Sequence, residues 1–417
     1  MKREPALWPA VVGAALLRGV SFFVRGHWLE RGQLSDVPVY QSYSDLIRSG
    51  QVPYRDFAVE YPPAALPVFV LPSYLRWSYD TSFAVLMGVL GAGCLAAAAA
   101  ALRAVGAGVV RGTAALLLIA VSPLALGSLF DTRFDLWPAL LALCALAAVL
   151  RERPLLAGTL GGLAFSAKLW PAALAPIALA YLWRRLGGRA ALVAAVAFAA
   201  VAAACFVPFA ILSPDGVRHS LTGQLDRPLQ IESLGAAVLI ASEHAGAQAL
   251  PTETSHGSQV LAGSRANIAA DVTTGLEILL VVVVWIAFAR RRRPSGEAVL
   301  VASAATIATM VAFGKVLSPQ FLIWLVPFVP LVRGRRGLIG SGLLLAALGL
   351  TQTWFPDYYW TLALVHASPW SWYLLARDLL LVALAGLLAW PRDLDRPALG
   401  EHRARLDALE TIRSQLE

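Results

Sequence analysis

The sequence predicts an all-α polytopic membrane protein, and three observations predict it. Over 417 residues the chain is 58% hydrophobic and only 14% charged, with a mean hydropathy of +0.66. Its apolar residues gather into long runs, and a run of about 20 is what a helix needs to cross a bilayer core. Its arginines fall in short clusters between those runs, as they do where charge fixes sidedness. The clusters account for the net charge of +8, so the partner they predict is the lipid bilayer and no nucleic acid. Cys94, Cys144 and Cys205 each lie inside an apolar segment, too few and too dispersed for a disulfide framework. No CxxC or HExxH spacing occurs, and no metal or other cofactor is expected.

Apolar segments fall at 6–24, 79–102, 113–130, 134–150, 155–168, 170–184, 189–212, 272–289, 297–314, 319–332, 337–355 and 370–390. That makes about twelve spans. The first lacks a clear cleavage site and carries Arg18, so it is expected to be retained. The stretch 62–75 holds Pro62, Pro63, Pro67 and Pro72 and is expected to be broken or re-entrant. With both termini cytoplasmic, the inner loops carry Arg103, Arg111, Arg151, Arg153, Arg184, Arg185, Arg189, Arg290–Arg293, Arg333, Arg335 and Arg336, in keeping with the positive-inside rule. Segments 155–168 and 170–184 would be only about 21–23 Å long as helices, against a core of about 30 Å. They predict a short hairpin with Lys168-Leu169-Trp170-Pro171 at its tip. A first outer loop at 25–78 and a long one at 213–270 complete the outer side, and 242–266, rich in Gly, Ala, Ser and Thr, is expected to be flexible. The tail at 391–417 reads as an amphipathic helix on the cytoplasmic face. No internal repeat is evident.

The first outer loop is a polar island. Asp36, Asp45, Asp56 and Glu60 lie there among several aromatics. Pro38 favours a helix start, and Gly50 with Pro53 a stop, so 38–49 is predicted as a short surface helix. Asp36 stands just before it, either as a functional acid or, with Ser35, as a mere cap. On this topology the other unusual polar residues share the outer side: Asp131, Arg133, Asp135, Lys168, Arg227, Glu232, Lys315, Gln320, Asp357 and His366.

The lysines sharpen the picture. Only Lys2, Lys168 and Lys315 occur against 31 arginines, and two of the three sit at outer span ends. A compact ammonium suits a phosphate, although an interfacial lysine can also simply snorkel. Arg18 and Arg377 lie within spans, each a candidate to pair with a buried carboxylate or a phosphate. Asp131 and Asp135 form a weak candidate for a divalent ion, with Arg133 free to pair with one of them instead. His366, among Tyr358, Tyr359, Trp360, Trp370 and Trp372, is either a proton-transfer group or part of an aromatic belt.

These residues resemble the bacterial glycosyltransferase family 87. The likeness rests on Asp36, Tyr40, Gly50, Pro53-Tyr54-Arg55-Asp56-Phe57 and Glu60-Tyr61-Pro62-Pro63. It rests also on Gly162 to Pro171 around Lys168, on Arg227 to Ser233, and on Lys315 to Trp324. It covers residues 1 to about 390 and implies a GT-C type bundle of about 12 transmembrane helices with a large first extracytoplasmic loop. The resemblance further implies an inverting transfer of a sugar, most often mannose, from a polyprenyl-phosphate donor to a glycolipid or glycan hydroxyl. Asp36 matches the family's first-loop acid, the general base. Lys168, Lys315 and Arg377 would then hold the donor phosphate, and Tyr40, Glu60, Asp131, Arg227, Glu232, Gln320 and His366 would shape the sugar and acceptor pockets. Site and acceptor would lie outside a bacterial plasma membrane. A twelve-span transporter or a lipid-linked-sugar binding or flipping protein is the competing reading. Against a transporter, the polar residues collect on one side and not at the midplane.

Overall fold

The structure, a computed structural model, describes residues 7–28 and 34–390. The expected amphipathic tail at 391–417 lies outside the described residues. Helix α1 (Trp8–Trp28) leads towards α2 (Val37–Arg48), whose first turn accommodates Pro38 because proline there forfeits no hydrogen bond. Val37, Tyr40, Tyr43 and Ser44 form the buried stripe of α2, at helical spacing. The four prolines keep 63–74 to short pieces, as predicted: a turn at Pro63–Ala65, α3 (Leu66–Val70) and a turn at Leu71–Tyr74. Each of these pieces has a proline in its first turn.

The bundle follows with α4 (Tyr79–Ala104), α5 (Val109–Leu126), α6 (Leu129–Thr132), α7 (Leu136–Leu150), α8 (Pro154–Ala167), α9 (Ala175–Leu186) and α10 (Gly188–Leu212). Next come α11 (Pro214–Leu225), α12 (Leu234–His244), the antiparallel hairpin β1 (Thr252–Ser255) and β2 (Ser258–Leu261), α13 (Ser264–Ala289) and α14 (Gly296–Phe313). The chain closes with α15 (Leu322–Leu325), α16 (Gly334–Trp354), α17 (Tyr359–Val365) and α18 (Trp370–Ala389).

The polytopic helical bundle stands, and length and apolarity account for seven of the about twelve expected spans among the described residues. Among the described residues, seven helices are long and apolar enough to cross a membrane: α4, α5, α10, α13, α14, α16 and α18. The other predicted spans are short apolar helices, at Trp8–Ser21, Leu136–Leu150, Pro154–Ala167 and Pro319–Leu331, or, at 170–184, a turn followed by α9. Prolines divide the last two. The predicted short hairpin is α8 and α9, with Lys168 extended between them. Helix α13 begins at Ser264, well before the predicted 272, because hydropathy alone cannot register its polar first turns.

The expectation of a flexible 242–266 is also corrected. That segment contains the β1–β2 hairpin, and residues 229–231 run beside β2 as a further extended segment: Ile231 N donates to Gln259 O at 3.1 Å and Leu261 N to Leu229 O at 3.0 Å. A composition of small polar residues cannot distinguish a loose loop from a strand whose amides find partners elsewhere.

Two ends of the bundle differ in chemistry. At one, arginines staple neighbouring turns: Arg111 pairs with Glu297 and donates to the Leu331 carbonyl, Arg185 pairs with Glu152 at 2.8 Å, and Arg184 Nη2 donates to Ala289 O at 3.3 Å. The α8–α10 pair reaches this end by close backbone approach. A Cβ on Gly158 would stand 2.1 Å from the Ala194 carbonyl, and one on Gly162 2.5 Å from that of Phe198, so only glycine fits. The opposite end carries the polar island.

Candidate functional site

At that end a cavity of about 370 Å³ opens between the first loop, the α8–α9 tip, the β1–β2 hairpin and the turn before α17. It is a polar cavity, lined by Asp36, Glu60, Arg133, Lys168, Arg227, Gln230, Glu232, Gln259, Gln320 and aromatic side chains. A second, almost wholly apolar hollow lies between α7, α8, α9 and α10, with Pro171 on its wall.

Asp36 precedes α2, but its side chain makes no capping bond. Ser35 Oγ instead accepts from Val37 N at 3.1 Å. Asp36 Oδ1 meets Arg133 Nη1 at 2.9 Å, and Oδ2 lies 3.4 Å from the Tyr40 hydroxyl. The reading of Asp36 as a mere cap is therefore corrected, as is the pairing of Arg133 with Asp131 or Asp135. The cause is an aromatic cluster beneath them. Tyr40 stacks on Phe69 at 4.4 Å and meets Tyr61 and Phe134 edge-on, both at 5.8 Å. Packing Phe134 against α2 carries its neighbour Arg133 to Asp36. Tyr40 itself is fully buried and does not line the cavity; burial pushes its hydroxyl, and that of Tyr61, well above the usual range.

Lys168 does line the cavity. Its Nζ is 2.6 Å from Asp135 Oδ1, which also accepts from Trp324 Nε1 at 2.5 Å. Phe134, Phe321 and Trp324 surround the ammonium at 4.9–5.3 Å from their ring centres, a favourable setting for a cation. Asp135 is thus committed to Lys168, and among the described residues no group of three or more metal-ligating side chains exists. Asp131 is buried near this turn without lining the cavity.

Glu60 and Glu232 enter from two sides. Burial raises the Glu60 carboxyl, with Arg227 pulling the other way; burial pushes Glu232 up to about 7. Residue alternation explains Glu232. In the extended run 229–232, Leu229 and Ile231 sink into the core while Gln230 and Glu232 face the cavity, the period-two geometry of a strand. Gln230 N donates to the Lys315 carbonyl at 3.0 Å. Arg227 Nη2 donates to His256 O at 2.6 Å, which ties the hairpin tip to the cavity wall.

Besides Tyr40 and Asp131, three predicted site residues sit elsewhere. Lys315 sends its Nζ to the Leu225 carbonyl at 2.8 Å, in an exposed position. Arg377 is fully buried, paired with Asp378 at 2.7 Å, and donates to the Glu232 carbonyl at 2.7 Å. His366 binds Glu243 at 2.7 Å and Thr252 Oγ1 at 3.1 Å. None of these lines the cavity, which corrects the reading of Lys315 and Arg377 as phosphate ligands and of His366 as a pocket residue. The Arg18 guanidinium lies over Phe130 at 5.3 Å. Sequence reasoning missed Arg133, Gln230, Gln259 and Trp324 as lining residues. Only for Gln230 was a signal present, its alternation with Glu232.

The profile of glycosyltransferase family 87 matches residues 59–319, more than half of the chain. The chain belongs to glycosyltransferase family 87. It is a multi-pass membrane glycosyltransferase, with Lys168, Arg227, Glu232 and Lys315 inside the matched stretch and Asp36 upstream of it. Among solved structures, ArnT from Cupriavidus metallidurans bound to undecaprenyl phosphate is similar with 13% identity and a TM-score of 0.49, over 92% of this chain and 76% of that one. The apo oligosaccharyltransferase of Archaeoglobus fulgidus is similar with 13% identity and a TM-score of 0.47. There the alignment covers 94% of this chain and 57% of the archaeal protein. No curated protein sequence matches this family 87 chain.

Proposed function

We propose that this protein transfers a sugar, mannose in the first instance, from a polyprenyl-phosphate donor to a hydroxyl of a glycolipid or glycan. The transfer inverts the anomeric centre and takes place on the extracytoplasmic side of a bacterial plasma membrane. The observation that carries this reading is the Asp36–Arg133 pair on the wall of a cavity that Lys168 and Arg227 also line. A carboxylate beside fixed cations, at the head of apolar helices, suits a donor with a lipid tail and a charged phosphate. Membership of glycosyltransferase family 87 motivates the lipid-phosphate donor. Family membership favours transfer over transport.

The steps balance as follows. Asp36 accepts the proton of the acceptor hydroxyl as its oxygen forms a bond to the anomeric carbon. The bond from that carbon to the phosphate oxygen breaks, and its electron pair leaves with the polyprenyl phosphate. Lys168 and Arg227 offset the charge gathering on that phosphate. Arg133 holds Asp36 in place. Glu60, Glu232 and Gln320 border the space left for the sugar and acceptor.

Purified protein incubated with radiolabelled polyprenyl-phosphate mannose and a glycolipid extract should release free polyprenyl phosphate and yield a labelled glycolipid. Failure to use any lipid-phosphate sugar would sink the proposal.

A further inference from the structure

One wall of the cavity is a buried floor of open acceptors. Gln230 and Glu232 are 4% and 2% exposed. Gln230 Oε1, Glu232 Oε2 and Gln320 Oε1 are buried with no hydrogen-bond partner, and all three residues line the cavity. A buried acceptor without a donor is costly, so three together are explained by an occupant that brings the donors. The chemistry of a lipid-linked sugar has three parts. An isoprenoid chain brings no polar atoms, and an ionised phosphate brings acceptors only. A sugar ring brings several O–H donors. The glutamines can offer either face of the amide, and Glu232 turns its buried, unpartnered Oε2 to the cavity as an acceptor.

This floor is also held rigidly. The strand 229–231 is pinned by Gln259 O and Lys315 O. From behind, Arg377 donates through Nη2 to the carbonyl of Glu232 itself at 2.7 Å. Arg377 and Asp378 are both fully buried, and the Trp354 ring lies 5.7 Å from the guanidinium. Rigid backing of this kind is what makes a polar site selective. The floor lies next to the cations, since Arg227 is within electrostatic reach of Lys168, Glu60 and Glu232 alike. A ring esterified to a phosphate on Lys168 and Arg227 would therefore reach it.

We infer that Gln230, Glu232 and Gln320 form the subsite for the donor's sugar ring, with Glu232 accepting from its hydroxyls and Arg377 acting as a positioning residue behind Glu232. The inference rests on the transferase reading above. The experiment compares dissociation constants for polyprenyl-phosphate mannose and for polyprenyl phosphate, in wild type, Glu232→Ala, Glu232→Gln and Arg377→Lys. In the wild type the sugar should strengthen binding. Glu232→Ala should weaken the sugar lipid by about ten- to a hundredfold, the range for a bond to a charged group, and leave polyprenyl phosphate unchanged. Glu232→Gln should fall between. Arg377→Lys should show a smaller loss, again confined to the sugar lipid, whereas general misfolding would weaken both ligands. An undiminished sugar preference in Glu232→Ala, or equal losses for both lipids in every variant, overturns the inference and leaves the transferase reading in place. A wild type that binds neither lipid removes that reading and the inference with it.

Discussion

Arg133 Nη1 stands 2.9 Å from Asp36 Oδ1, joining the turn before α7 to the residue before α2. The pair holds Asp36 in place, one oxygen engaged and the other in a long contact to Tyr40. In Asp36→Asn the shape survives and the proton acceptor does not, so turnover should fall by about 10²–10⁴. Because Asp36 makes no capping bond, the melting temperature in detergent should barely move. Near-full activity in a well-folded variant would refute the base assignment.

Removing the partner gives a separate test. Arg133→Ala should reduce kcat/KM by about ten- to a hundredfold, the equivalent of about 1.5–3 kcal/mol for a charge-assisted bond. Arg133→Lys should recover part of the loss. Identical rates in wild type and Arg133→Ala would show that Asp36 needs no steering.

The two lysines should part company in stability. Lys168→Ala strands Asp135, which is wholly buried, and breaking a buried pair costs about 3–5 kcal/mol. Thermal unfolding in detergent should show a clear drop. Lys315→Ala removes one exposed bond to a carbonyl and should leave the melting temperature nearly unchanged. Donor kinetics should follow the same order, with Lys168→Ala the more damaging.

Glu232 predicts a pH dependence of stability. Its carboxyl titrates near 7 in the fold against an ordinary 4.5, so between those values the folded chain holds a proton that the unfolded chain releases. Stability therefore falls as pH rises across that window. Glu232→Gln should flatten the melting-temperature profile there; an unaltered slope would place the titration elsewhere.

Orientation is open to a direct check. Cysteines introduced at Asp56 and Glu253 should be labelled by an impermeant reagent in intact cells, and one at Arg291 should not. The reverse pattern would invert the protein and move the site to the cytoplasmic face.

The sequence by itself determined the class, the location and much of the chemistry of this protein. Apolar runs and arginine clusters report helices in lipid, because both are one-dimensional consequences of solvent. The broken character of 63–74 was legible from its prolines, and the α8–α9 hairpin from segments too short to cross. Asp36, Glu60, Lys168, Arg227, Glu232 and Gln320 were legible as polar residues that apolar surroundings do not explain. The tertiary structure decided which of them meet. Asp36 found Arg133 through the packing of Tyr40, Phe69 and Phe134, contacts between segments far apart in the chain that no spacing encodes. Lys168 went to Asp135, while Lys315, in an exposed position, and Arg377, buried in α18, were turned away from the cavity, each donating to a backbone carbonyl. A local pattern fixes which face of an element a side chain takes; which charge it then meets is set by how distant elements pack.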